Sequence, residues 1–244
     1  MNILSLGWGV QSFALAAMAA LGDLPRLDYA IHADTTHERS TTYEIAHTWT
    51  PWLTQHGITV VTVQTPHPDI LRANGVAIPA YLKPRGMLPR QCTRDWKVYP
   101  IRTAIRQAIG PGWRIKQTNL WIGISLDEIE RTRPSDVHYI VNTYPLLDLK
   151  MTRDDCKTWL TAHSLPIPAK STCCFCPYQT AQDWRNLTPH DWTKATAVDT
   201  AIRHATHRQA IYLRKDCRPL ADPTPPAPNQ LSLWQDECTG FCNT

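Results

Sequence analysis

The chain has 244 residues, 43% of them hydrophobic and 19% charged, with a formal net charge of +4. That size suits one core, or one core with a small appendage. No run approaches the roughly 18 apolar residues of a membrane span, and "MNILSLGWGV" lacks the basic region and cleavage site of a signal peptide, so a cytoplasmic protein is expected. Thiols stay reduced there, and the eight cysteines then favour metal binding or catalysis over disulfides.

In chain order, "NILSLG" reads as a short buried strand entering a glycine turn, and "SFALAAMAALG" as a helix stopped by Gly22. "YAIHAD" is a second strand. "STTYEIAHTWTPWLTQHG" is a second helix, N-capped by Ser40 or a neighbouring Thr and ended by Gly57. "ITVVTVQ" is a third strand, β-branched almost throughout. This alternation predicts an α/β fold with a doubly wound, mostly parallel sheet. Residues 65–95 read as loop with short helical pieces, "KVYPIRTAIRQAI" as a helix beyond Pro100, and "NLWIGIS" as a fourth strand. "TRDDCKTWLTAHS" is a helix with Thr152 as N-cap and Asp155 at the third helical position. "QDWRNL" and "DWTKATAVDTAIRHAT" read as two more helices. "RPLADPTPPAPNQ" is a linker to the tail "LSLWQDECTGFCNT". No internal repeat is visible.

Open α/β sheets bind ligands at the carboxyl ends of their strands, beside the first helix N-terminus. There Gly7 and Gly9 allow close backbone approach to an anion, and Ser5 and Ser12 offer hydroxyls. Asp34 ends the second strand, where an acid commonly takes a ribose hydroxyl. After the fourth strand, Gly123 again permits close approach. Asp127 and Glu128 suit magnesium, and Arg131 and Arg133 suit phosphate or sulfate. The segment 83–116 carries nine Lys/Arg and one acid, Asp95; it is either a solvated basic face or a site for phosphate, sulfate or a nucleic-acid backbone. Cys173 and Cys176 form C-x-x-C with Cys174 between them, while Cys92, Cys156, Cys238 and Cys242 are scattered. Four thiolates suit tetrahedral zinc or an iron–sulfur cluster, and scattered partners favour a cluster assembled across the fold. Cys217 reads as a bystander.

Together these blocks resemble the phosphoadenosine phosphosulfate (PAPS) reductase-like branch of the adenine-nucleotide alpha-hydrolase, or PP-loop, superfamily. The matching stretches run in order: "SLGWGVQS", "HADTTHERSTTYE", "QCTRDWKVYPIR", "GISLDEIERTR" and "YPLLDLKMTRDDCKTWLTAHSLPIPAKSTCCFCPY". The resemblance implies a Rossmann-like sheet, an adenine nucleotide (ATP or PAPS) at the first loop, and chemistry on sulfur. It implies that Ser5, Gly7, Gly9, Gln11 and Ser12 cradle phosphate, that Asp34 meets the adenosine, and that Lys97, Arg131 and Arg133 hold the distal anion. It further implies a [4Fe–4S] cluster on Cys92, Cys173 and Cys176, with Cys156 as fourth ligand, Cys174 as the alternative, and zinc as the alternative metal. Residues 1–150 would form the nucleotide-binding domain, 151–218 a helical cysteine-rich region completing the site, and 219–244 the linker and tail.

Two departures qualify what the resemblance implies. The ATP-cleaving loop of the superfamily reads Ser-Gly-Gly-x-Asp-Ser, and here Trp8 replaces a glycine and Gln11 the aspartate. Sulfonucleotide reductases end in Glu-Cys-Gly-Leu-His, and here the tail reads "ECTGFC". The resulting expectation is a PAPS reductase-like enzyme releasing sulfite, with Cys238 as nucleophile, Cys242 as resolving thiol and a thiol or ferredoxin-type reductant. The alternatives are an ATP-dependent sulfurtransferase acting on tRNA or DNA, and a non-catalytic nucleotide- and cluster-binding module. No membrane partner is expected, and a homodimer is compatible with any of the three.

Overall fold

The computed structural model describes residues 1–65, 68–73, 75–83, 86–205 and 209–222. The tail bearing Cys238 and Cys242 lies outside these residues. Strand β1 (Asn2–Ser5) leads through Gly7–Gly9 into helix α1 (Val10–Leu21), which ends at Gly22 in the left-handed conformation. Strand β2 (Tyr29–Asp34) leads into α2 (Ser40–Gln55), and strand β3 (Thr59–Gln64) follows the left-handed Gly57. The N-cap of α2 is Arg39, and Ser40 is its first helical residue.

The stretch expected as loop holds three two-residue strands: β4 (Leu71–Arg72), β5 (Gly75–Val76) and β6 (Tyr81–Leu82). A π-helical turn, Arg94–Val98, then runs directly into α3 (Tyr99–Ile109), so this helical stretch starts earlier than Pro100 suggests. Strand β7 (Thr118–Trp121) is followed by a 3-10 turn, Leu126–Arg131, and then by strand β8 (Ile140–Thr143). The remaining elements are α4 (Pro145–Asp148), α5 (Arg153–Ala162), α6 (Ala181–Arg185), α7 (Pro189–Ile202) and β9 (Ile211–Tyr212).

The main sheet has the order β3-β2-β1-β7-β8, and every pair in it is parallel. The protein is therefore an α/β fold with a doubly wound, Rossmann-like sheet. Successive residues of each strand point to opposite faces. Leu4, Ala30 and Trp121 pack with α1, α2 and α5, while Ile3, Ile31 and Leu120 pack with α3. A third cluster gathers Val76–Ala80 region residues, Trp96, the central cysteines, α7 and β9. The expected boundary at residue 150 does not follow this packing. Cys156, Leu160 and Leu165 of the following segment belong to the sheet core, and Val76, Ile78 and Trp96 belong to the cysteine-rich body. No described helix is long and apolar enough to cross a membrane.

Candidate functional site

Strand order reverses beside β1, because the chain winds outward to β2 and β3 and then returns to place β7 on the other side. Such a switch point opens a crevice at the carboxyl ends of the strands. A pocket lies there, lined by Ser5, Gly7, Gly9, Gln11 and Ser12 from the first loop and by Gly123 from the end of β7. Lys97 also lines it. These seven are the sequence-predicted residues that the fold brings together at the pocket.

The first loop is built around two close approaches. A Cβ on Gly123 would stand 2.9 Å from the Ser12 amide nitrogen and 3.2 Å from the Gln11 carbonyl carbon, so Gly123 lets α1 start against β7. Ser171, from the cysteine-bearing loop, donates its hydroxyl to the Gly7 carbonyl and lines the pocket. Trp8 takes the left-handed conformation (φ 60°) that a glycine would take, and its ring is buried against Phe13 and His32.

Gln11 does not imitate an aspartate. Its amide donates to Ser125 Oγ (3.3 Å) and Glu128 Oε2 (3.1 Å), and its carbonyl accepts from Arg153 Nη1 (3.1 Å). The side chain thereby ties the first loop to the 3-10 turn and to the start of α5. Glu128 also accepts from Arg131, and Asp127 Oδ1 accepts the Arg153 backbone N–H (3.1 Å), an N-terminal cap for α5. Arg133 donates to the Glu130 and Thr132 carbonyls. None of Asp127, Glu128, Arg131 or Arg133 is among the residues lining the pocket.

Asp34 is likewise committed. It accepts from the Thr36 N–H (2.7 Å), Tyr43 Oη (2.8 Å) and Gln64 Nε2 (2.7 Å). Burial pushes its carboxyl up, but the three donors outweigh burial and hold it below the usual range. It braces β2, β3 and α2 and does not line the pocket.

A buried polar chain links the pocket to the cysteine loop. Lys97 Nζ pairs with Glu38 Oε1 at 3.0 Å, and Glu38 is 1% exposed. Thr35 Oγ1 donates to the same oxygen at 3.2 Å and lies 3.4 Å from Cys173 Sγ. Backbone contacts hold the two segments together: Arg39 N–H to the Thr172 carbonyl, Cys174 N–H to the His37 carbonyl, and a bridge between Glu38 and Cys173. His32 lines the pocket beside Lys97; its Nδ1 bonds the Leu6 carbonyl, and burial lowers its pKa. His32, Arg102, Glu38 and Ser171 were not read as site residues from the sequence.

The thiols divide into two places. Cys92 packs against the cluster that contains Cys173, Cys174 and Cys176. Cys156 is fully buried in the other core, beside Leu160 and α1, where burial pushes its thiol up to about 12. Cys156 therefore does not join Cys92, Cys173 and Cys176, and the expectation that it is the fourth ligand is corrected on packing grounds. Burial also pushes the Cys174 thiol up, to about 11. Cys217 is buried in a left-handed turn (φ 54°), and burial, ahead of the nearby Cys176 and Cys217 thiols, raises the pKa of the Tyr81 hydroxyl. A single zinc ion binds sulfur at about 2.3 Å and needs its donors close together. Among the described residues no three Cys, His, Asp or Glu side chains could hold one metal ion.

The basic segment is not one face. Lys83 lies over Tyr212, Arg90 over Tyr178, and Arg94 pairs with Asp95. Lys97 and Arg102 line the pocket, while Arg106 and Arg114 flank Trp113.

No family model and no curated protein matches the sequence. Among solved structures the chain is similar to a phosphoadenylyl-sulfate (PAPS) reductase from Candida auris in a phosphate complex, with a TM-score of 0.44 and 11% identity, over 68% of this chain and 74% of that one.

Proposed function

We propose that the pocket takes an adenine nucleotide and that the chain is a PAPS reductase-like enzyme acting on a sulfonucleotide. The observation that supports this best is the contact of the cysteine loop with the first loop: Ser171 seats on Gly7, and two residues on Cys173 touches Thr35, which shares Glu38 with the pocket lysine. The first-loop backbone and the Ser5 and Ser12 hydroxyls bind phosphate at the N-terminus of α1. Lys97 offsets its charge.

In the proposed reaction the Cys238 thiolate attacks the sulfonate sulfur and the nucleotide leaves through its phosphate oxygen. Cys242 then attacks the Cys238 sulfur, sulfite departs with the bonding electron pair, and a disulfide remains for an external dithiol to reduce. An iron–sulfur cluster on Cys92, Cys173 and Cys176, with Cys174 as fourth thiol, belongs to the same proposal. It would supply a charged, redox-capable centre beside the pocket. The donor set is all thiol, and a cluster spreads its ligands more widely than a single ion, which the thiols do not surround. Magnesium at Asp127 and Glu128 is not part of the proposal, since both carboxylates already serve α5 and the first loop. Nucleic-acid thiolation is not favoured, because most described cations of the basic segment have partners within the chain.

The test is anaerobic sulfite release from PAPS with a thioredoxin-type donor, alongside iron counts and an absorbance spectrum. Release is expected in the wild type, with loss in Cys238→Ser. PAPS-independent, ATP-dependent incorporation of sulfur into tRNA or DNA would overturn the reading. So would the absence of both activities with nucleotide bound, which fits a non-catalytic module.

A further inference from the structure

His32 brings an unused hydrogen-bonding atom to the pocket. It is 4% exposed, follows the Ile31–Ser5 pairing of β2 with β1, and lines the pocket together with its neighbour Ala33. Its Nδ1 bonds the Leu6 carbonyl at 3.0 Å. Its Nε2 is buried and has no hydrogen-bond partner among the described residues.

The Leu6 carbonyl can only accept, so Nδ1 carries the ring proton. A neutral imidazole has one such proton, which leaves Nε2 as a bare lone pair. Burial lowers the pKa of the ring against Glu38 and the Leu6 carbonyl, with Lys97 adding to burial and Asp34 opposing it, so the ring is neutral at pH 7. Two contacts fix its orientation. Leu6 holds Nδ1, and Trp8 meets the ring edge to face, with centroids 6.5 Å apart and planes at 71°. Trp8 Nε1 is also buried without a partner among the described residues, but Trp8 does not line the pocket. A buried acceptor left unmet is costly, and a ligand that supplies the donor recovers that cost. A phosphate dianion offers only acceptors, so the donor belongs to the nucleoside part of the ligand.

We propose that His32 is a specificity-determining residue whose Nε2 accepts a hydrogen bond from a neutral donor of the nucleoside. That donor is the exocyclic amine of the base or a ribose hydroxyl. The inference rests on the nucleotide reading above.

The experiment is calorimetric titration of the full chain with AMP and with analogues that each lack one donor: purine riboside 5′-monophosphate, which has no exocyclic amine, 2′-deoxy-AMP and 3′-deoxy-AMP. Wild type is expected to bind at least one analogue about tenfold more weakly than AMP. His32→Asn keeps an amide N–H in place of Nδ1–H and deletes the ε acceptor. It should weaken AMP about tenfold and leave that analogue within about twofold, which names the donor. His32→Gln can return an acceptor to the ε position and should restore part of the AMP affinity. Nitrogen NMR of the wild-type ring is a readout that a structural histidine would not move: at saturating AMP the Nε2 resonance should shift upfield as its lone pair is engaged. The proposal is overturned if His32→Asn weakens all of the nucleotides equally or none of them, or if Nε2 does not respond to saturating AMP. If wild type binds none of the nucleotides, the nucleotide reading fails first; if it binds all of them alike, only the role of His32 fails.

Discussion

At Trp8 the chain holds φ at 60° with a bulky side chain, a conformation that costs an L-residue about 1–2 kcal/mol. Burial of the indole against Phe13 and His32 offsets that cost. Trp8→Gly relieves the backbone but deletes a large core side chain, a loss of about 3–5 kcal/mol. The expected net change is a destabilisation of about 1–4 kcal/mol, read from urea unfolding; a stabilised variant would show that the ring contributes no packing. His32 sets a pH dependence of known sign. Burial lowers its folded pKa, with Glu38 pulling the other way, while the unfolded ring titrates near about 6.5. Between the two values the unfolded chain binds the extra proton, so stability is full above about pH 6.5 and is lost as pH falls below it, by at most about 1.4 kcal/mol per unit for this group. His37, lowered chiefly by burial as well, adds in the same direction. Unfolding free energy should fall from pH 7.5 to 5.5, and His32→Gln should flatten the slope; an unchanged slope would remove His32 from the account.

Among the elements, the close packing of α1 on the end of β7 gives the sharpest expectation. Gly123→Ala would put a methyl 2.9 Å from the Ser12 amide, against backbone that cannot move aside. The first loop must shift, so nucleotide affinity should fall about tenfold or more, with circular dichroism little changed; unaltered affinity would place the phosphate elsewhere. The run from β1 to β3 was readable because its strands are apolar and β-branched and its helices end at glycines. The capping box of Thr152 and Asp155 was readable because it is local, and both of its bonds are present. β8 was not, since only one of its four residues is buried and it sits at the sheet edge. Within the site, the glycine turn declared itself, but Ser171 reaches Gly7 from 164 residues away. Conversely, Asp127, Arg131 and Arg133 looked exposed to a ligand because sequence cannot show that neighbours already occupy them.

Across the whole molecule, the sheet body and the cysteine-rich body meet along residues 35–40, and Glu38 of that seam pairs with the pocket lysine Lys97. Arg39 bonds Gln179 and pairs with Asp183, while Asp191 of α7 accepts the Ser40 N–H (3.1 Å) and hydroxyl (2.8 Å) at the start of α2. Asp191 is buried, so Asp191→Ala leaves the Ser40 N–H without its acceptor, while the Ser40 hydroxyl keeps Thr188 Oγ1 at 3.2 Å, and costs about 1–3 kcal/mol. The loss falls on the seam and not on the sheet, whose strands keep their own ladder and two packed faces. The cysteine-rich body should therefore open first, by local unfolding. Hydrogen exchange is expected to quicken across α7 and residues 171–179 while β1, β2 and β7 stay protected. Ser171 and Lys97 both line the pocket, so a saturating nucleotide bound as proposed should recover part of the protection through binding linkage. Uniform loss of protection would mean the two bodies unfold as one unit. Recovery confined to the sheet would mean that the pocket and the cysteine loop are energetically separate, and that the thiols near Cys173 do not sense what the first loop holds.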